Sequence, residues 1–196
     1  SAINWQKSAS ACQTITVNAQ AATSTSINAP TITYNASGSV TVTVTSTAGT
    51  VTGNVSLSVD GGAAASKALA SGSATFTSTD IAALSSPGAG NHALSASYAA
   101  QGSFAASSAS GTLHVNQASS TTTVSCPASV PYSGAAQAPC SVTVTGVGLS
   151  LTPSPNYSNN TNAGTATASY TYAGDANHLG SSDSKNFTIS QASSTT

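Results

Sequence analysis

Serine, histidine and aspartate, the residue types of a hydrolytic triad, all occur in this chain, with histidines at His92, His114 and His178. A triad is defined by geometry, and a chain so rich in serine produces coincidental matches; the Gly-x-Ser-x-Gly elbow that exposes a nucleophile is absent. His92 lies before an apolar alternation at Leu94 to Tyr98, His114 points outward between Leu113 and Val115, and His178 falls in a loop. Their separations lack zinc-ligand spacing, so all three read as surface histidines, and no catalytic residue, metal or cofactor is expected.

Asp175 and Asp183 bracket a loop containing Gly and Ser that offers oxygens to calcium, but two carboxylates fall short of the six to eight oxygen ligands calcium takes. A turn-capping role for Asp175 is the better reading. A Lys–Asn amide crosslink needs a buried lysine beside an acid. Lys67 follows a Gly- and Ala-containing turn and Lys185 adjoins a strand edge, so both read as solvated. Cys126 and Cys140 close a loop for which a disulfide contributes roughly 3 kcal/mol, with two buried thiols as the alternative. Such a bond implies an oxidising compartment, and Cys12 has no evident partner. Asn-x-Ser/Thr triplets at Asn35, Asn54, Asn156, Asn159 and Asn186 arise by chance in this composition, while the many hydroxyls leave room for O-linked sugars.

The composition narrows the partners. Charged residues are only 4% of the chain, with no Arg or Glu, and hydroxyls and amides occupy the positions that charges usually fill. A hydrophobic fraction of 39% and a net charge of −1 oppose disorder. Lys7, Lys67 and Lys185 form no basic stripe, so nucleic acid is excluded as a partner. No run approaches the ~20 apolar residues of a membrane-spanning helix, and the start lacks signal-peptide regions. Membrane insertion is not expected, and an exported chain of this sequence is a processed or excised portion.

The elements carrying these residues are strands. Helical periodicity is nearly absent, β-branched residues dominate, and turn residues recur every eight to twelve positions. Val40 to Thr45 alternates Val and Thr perfectly, one face core and the other wet. The period continues in Val55, Leu57 and Val59 and stops at Asp60-Gly61-Gly62, a tight hairpin turn. Further strands centre on Ile27, Ala74 and Phe76, Leu94 to Tyr98, and Leu113 with Val115, and the six together leave room for the seventh strand of a sandwich within residues 22–117. A second unit, 118–191, has strands around Val124, Cys140 to Thr145, Asn156 to Ser158, Gly164 to Tyr172 and Asn186 to Ser190. Its inward candidates are Val142 and Val144, Leu149 and Leu151, Tyr170 and Tyr172, and Phe187 with Ile189.

Internal repetition organises the whole. Gln117-Ala118-Ser119-Ser120-Thr121-Thr122 recurs as Gln191-Ala192-Ser193-Ser194-Thr195-Thr196, and Gln20-Ala21-Ala22-Thr23-Ser24 is a looser third copy. Each follows an alternating strand, the first being Thr14-Ile15-Thr16-Val17. Residues 1–20 therefore read as the last strand of a preceding domain or a donated strand, and 192–196 as the start of a further linker.

The first unit resembles bacterial immunoglobulin-like repeats of long surface proteins, through Gly53 to Gly61, Gly72 to Phe76 and Gly90 to Tyr98. It departs where those repeats read Tyr-x-Gly-Asp, having Tyr98-Ala99-Ala100-Gln101. The second unit resembles another class of bacterial β-rich repeat, through Pro131 to Pro139, Tyr157 to Gly164 and Tyr172-Ala173-Gly174-Asp175. The resemblance implies two tandem immunoglobulin-like β-sandwich domains on a secreted or cell-surface protein, with no catalytic residues to carry over.

Three functions follow from different classes. One is a passive stalk or spacer whose partners are neighbouring immunoglobulin-like domains. Another is a filament subunit joined to copies of itself by residues 1–20, whose Ile3, Trp5, Ile15 and Val17 would otherwise expose apolar side chains. The third is an adhesin binding a glycan or a host-surface ligand through loop aromatics, for which Tyr34, Phe104 and Tyr132 are the candidates, though core or edge packing is expected of each.

Overall fold

The computed structural model describes residues 19–192. Strands β1 (Ser24–Asn28), β3 (Val40–Thr45) and β6 (Ser73–Phe76) form a three-stranded sheet in that order. A second sheet runs β2 (Ile32–Thr33), β8 (Ser107–Asn116), β7 (Gly90–Tyr98), β4 (Asn54–Val59), β5 (Ala65–Ala68), antiparallel except for the β2–β8 pair. Strands beyond Gln117 pair among themselves. There β9 (Ser120–Ser125), β11 (Ser141–Gly146) and β12 (Leu149–Leu151) make one sheet, ordered β12-β11-β9. The other is ordered β10 (Ser129–Pro131), β15 (Ser181–Ser190), β14 (Gly164–Tyr172), β13 (Asn156–Ser158). The chain is all-β, and each sheet pair is an immunoglobulin-like sandwich.

The Val-Thr alternation of β3 does what its period requires. Val40, Val42 and Val44 are buried, and they share one core with Val55 and Leu57 of β4, Phe76 of β6, Tyr98 of β7 and Leu113 of β8. The threonines face out and bond across strands, Thr41 to Thr75 at 2.9 Å and Thr43 to Ser73 at 3.0 Å. Hydroxyl pairs thus replace the charge pairs of an ordinary sheet surface. After β4, Asp60 (φ 51°) and Gly61 (φ 71°) both take positive φ, and the Gly62 N–H donates to the Val59 carbonyl at 2.9 Å. Positive φ at both central positions is the type I′ signature that Asp-Gly favours.

The second sandwich has a thinner core, split into Val124, Val142, Val144 and Ala168 on one side and Ala166, Phe187 and Ile189 on the other. Cys126, Cys140 and Tyr157 pack against both clusters and join them. The Tyr157 hydroxyl accepts from the Cys140 N–H at 2.8 Å and donates to its carbonyl at 3.1 Å, and its ring meets Phe187 edge-on at 6.1 Å.

Several expectations need correction. The first sandwich has eight strands, 3 + 5, because β2 and β5 are too short or too polar to show an apolar period. The second has seven, 3 + 4, adding β10 and β12, and β15 begins at Ser181 because Ser181 to Lys185 carry no apolar alternation. Leu149 and Leu151 are not a core pair: Leu151 is 42% exposed, since β12 is a three-residue edge strand bonded only to β11. Tyr170 and Tyr172 are half-buried.

Candidate functional site

Tyr172, Asp175 and His178 come together where the two sandwiches meet, at the loop between β14 and β15. Gly174 opens this loop at φ 90°, where a Cβ would lie 2.7 Å from the His178 carbonyl oxygen and 3.0 Å from the Gly180 nitrogen, so the turn requires glycine. Asp175 closes it. Its Oδ1 accepts the Asn177 N–H at 2.7 Å and the His178 N–H at 2.8 Å, and its Oδ2 accepts the Tyr172 hydroxyl at 2.8 Å. These donors, the tyrosine first, hold the carboxyl down at about 2. Asp175 is a turn cap, as its place after Gly174 suggests.

The loop so fixed presents two side chains to the first sandwich. Asn177 Oδ1 accepts the Ala89 N–H at 2.9 Å. His178 is only 4% exposed, with Nδ1 3.0 Å from Asp175 Oδ1, Nε2 2.8 Å from the Val147 carbonyl, and its ring edge-on to Tyr34 at 5.2 Å. The expected surface histidine is therefore buried. Neither its loop position nor the lone polar residue type gives a sign of this, because the burying groups come from β2's end and the β11–β12 turn. The Val147 carbonyl, then the Asp175 carboxylate, raise the His178 pKa against the opposing effect of burial.

The linker enters the same loop. The Ala118 N–H donates to the Asn177 carbonyl at 2.9 Å, and the Leu179 N–H donates to the Ala118 carbonyl at 2.8 Å, a parallel bridge. Gln117 Nε2 adds a bond to the Asp175 carbonyl at 2.7 Å. The looser copy of the linker does the same one sandwich earlier. The Ala21 N–H donates to the Ser103 carbonyl at 2.7 Å, the Ala105 N–H to the Ala21 carbonyl at 2.8 Å, and Gln20 Nε2 to the Gly102 carbonyl at 2.9 Å. Phe104 holds the place of His178, since Ala21 bridges Phe104 as Ala118 bridges His178. Gln101 stands where Asp175 does and bonds to the Asn54 N–H at 2.8 Å and carbonyl at 2.7 Å. Sequence reading missed these clamps; aligning Tyr98 to Phe104 with Tyr172 to His178 beside the Gln-Ala repeat would have found them.

The other candidates are committed to structure. His92, on β7, meets Asp60 Oδ2 at 2.7 Å through Nδ1 and the Gly88 carbonyl at 2.9 Å through Nε2, which raise its pKa, the carbonyl contributing most. In both Asp–His pairs the nitrogen that would accept a nucleophile's proton instead faces a backbone carbonyl and carries its own proton. That nitrogen has no lone pair to act as a general base. His114 is exposed and bonds Asn91 Oδ1 at 2.6 Å. Asp183 accepts the Val124 N–H at 2.7 Å and the Ser184 N–H at 2.8 Å, away from Asp175. Among the described residues no three His, Cys, Asp or Glu side chains gather as metal ligands would.

Lys67 is not simply solvated: it pairs with Asp80 at 2.9 Å, and that pair lowers the Asp80 pKa. Cys126 and Cys140 are joined in a disulfide, Cα to Cα 4.3 Å. Tyr34 and Phe104 pack against the first core, whereas Tyr132 is 40% exposed. Ile3, Trp5, Cys12, Ile15 and Val17 lie outside the described residues.

No family model and no curated protein matches this chain. Among solved structures it is similar to the fibronectin(III)-like modules of Clostridium thermocellum CbhA, at 15% identity and a TM-score of 0.32, over 85% of this chain and 94% of that one. The fold described above rests on this chain's own strand pairing.

Proposed function

We propose that this chain is a non-catalytic spacer from an extracellular bacterial surface protein, with residues 22–117 and 118–191 as two modules held at a fixed angle. The carrying observation is the Gln-Ala clamp, which occurs twice with the same alanine bridge and a glutamine amide on a carbonyl of the same turn: the residue pair that enters a module is bonded to that module's last hairpin. A linker bonded in this way cannot act as a free swivel. At the junction itself, Asn177, His178 and Tyr34 add contacts across the two modules. The disulfide supports an oxidising, exported setting. Both Asp–His pairs are occupied with backbone groups, which supports structure over catalysis.

Spin labels at Ala48 and Thr161, in loops at opposite ends of the pair, test this reading. A spacer gives one narrow distance distribution. A broad distribution would sink the spacer reading, because the modules would then swing about residue 117.

A further inference from the structure

The end of the second sandwich repeats, at three positions, the surface by which the first sandwich holds its neighbour. The register shows it. On the first sandwich β2 pairs in parallel with β8, Ile32 opposite Val115, and the Tyr34 N–H donates to the Asn116 carbonyl at 2.8 Å. On the second, β10 pairs in parallel with β15, Val130 opposite Ile189, and the Tyr132 N–H donates to the Ser190 carbonyl at 3.0 Å. Tyr132 thus stands where Tyr34 stands, and Gln191-Ala192 where Gln117-Ala118 stands.

A third point of contact follows the same rule. Gly90 opens β7 opposite Val115 and Gly164 opens β14 opposite Ile189, both at φ 138°. Ala163, which precedes Gly164, therefore matches Ala89, whose N–H holds Asn177. The two sets differ in burial, and Tyr34 also packs against its own sandwich's core while Tyr132 joins neither cluster of the second. Tyr34 and Ala89 are half-buried and Ala118 is 4% exposed, while Tyr132, Ala163 and Ala192 are exposed.

We propose that Tyr132, the Ala163 amide and Gln191-Ala192 form a docking surface for one kind of partner: a further sandwich module entered through Gln191-Ala192. Its last hairpin loop would present a ring at the place of His178 or Phe104 and a carbonyl-type acceptor at the place of Asn177. The sandwiches already present are excluded as occupants. Their last hairpins are bonded to their own linkers, Gln20-Ala21 and Gln117-Ala118. The partner is then recognised by three elements, an edge-on ring contact, one amide–amide hydrogen bond and a parallel Gln-Ala bridge. This inference rests on the spacer reading and extends it to a third module.

The test extends the full chain beyond Thr196 with a second copy of residues 123–192, which is in phase because Gln191 to Thr196 repeats Gln117 to Thr122. Amide hydrogen exchange is then followed at Ala163. In the parent chain this amide exchanges as an exposed group; in the extended chain we expect slowing of roughly tenfold or more, as for a hydrogen-bonded amide. Tyr132→Ala should return it to the parent rate, and Tyr34→Ala should release Ala89 in the same way. An unchanged Ala163 rate, or protection insensitive to Tyr132→Ala, overturns the proposal. So does an appended module that stays unfolded, because the same sequence folds behind Gln117-Ala118. A narrow Ala48–Thr161 distance combined with an unprotected Ala163 would refute the docking surface while leaving the spacer reading intact.

Discussion

Both ring nitrogens of His178 face acceptors, a carboxylate and a carbonyl, and an imidazole satisfies two acceptors only as the imidazolium. His92 has the same arrangement with Asp60 and Gly88. Their raised pKa values contribute stability that is fully present below the ordinary value of 6.5 and is lost as pH rises through the higher folded values. Asp175, lowered from 3.8 to about 2, contributes stability above pH 3.8 that disappears as pH falls toward 2. The melting temperature should therefore be highest between roughly pH 4 and 6.5 and decline on both sides. Thermal unfolding across that range checks it, and a maximum above pH 8 would contradict the assignment. His178→Phe, which copies Phe104, should remove part of the alkaline decline, the remainder belonging to His92. The sequence shows Asp175 as a turn residue because its three donors are within three positions of it. It does not show the burial of His178, because Tyr34 and Val147 reach it from 144 and 31 residues away along the chain.

Among the elements, legibility tracks the apolar period. Strands β3, β4, β7 and the end of β8 carry alternating Val, Leu and Tyr and can be read directly. Strands β2, β10 and β12 are two or three residues long, and the start of β15 is polar, so no period marks them. Of these, β2 and β10 nevertheless set Tyr34 and Tyr132 in place. The two sandwiches are also held differently. The first relies on a continuous core, so Leu57→Ala should cost about 2–5 kcal/mol in a urea titration. The second has its two small clusters joined by the disulfide, and replacing Cys126 and Cys140 with alanine should cost roughly 3 kcal/mol. That loss should appear in the transition of the second sandwich alone; a matching shift in the first would show that the two do not unfold separately. Gly174→Ala should destabilise the junction loop by about 1–3 kcal/mol, because the new Cβ meets the His178 carbonyl at an unfavourable φ.

At the scale of the whole molecule, the repeated Gln-Ala step converts what composition suggests is a flexible Ser- and Thr-rich linker into a bonded joint. Its recurrence is plain in the sequence, but its acceptors are backbone carbonyls, which carry no residue-type signal. On the proposed reading, residues 117 and 118, with Tyr34, Asn177 and His178, lock the two sandwiches into one body. Backbone 15N relaxation measured separately for residues 22–117 and 118–191 tests this most directly. One shared rotational correlation time is expected, splitting into two shorter ones when Gln117 and Tyr34 are both replaced by alanine. Two independent correlation times in the unaltered chain would contradict it.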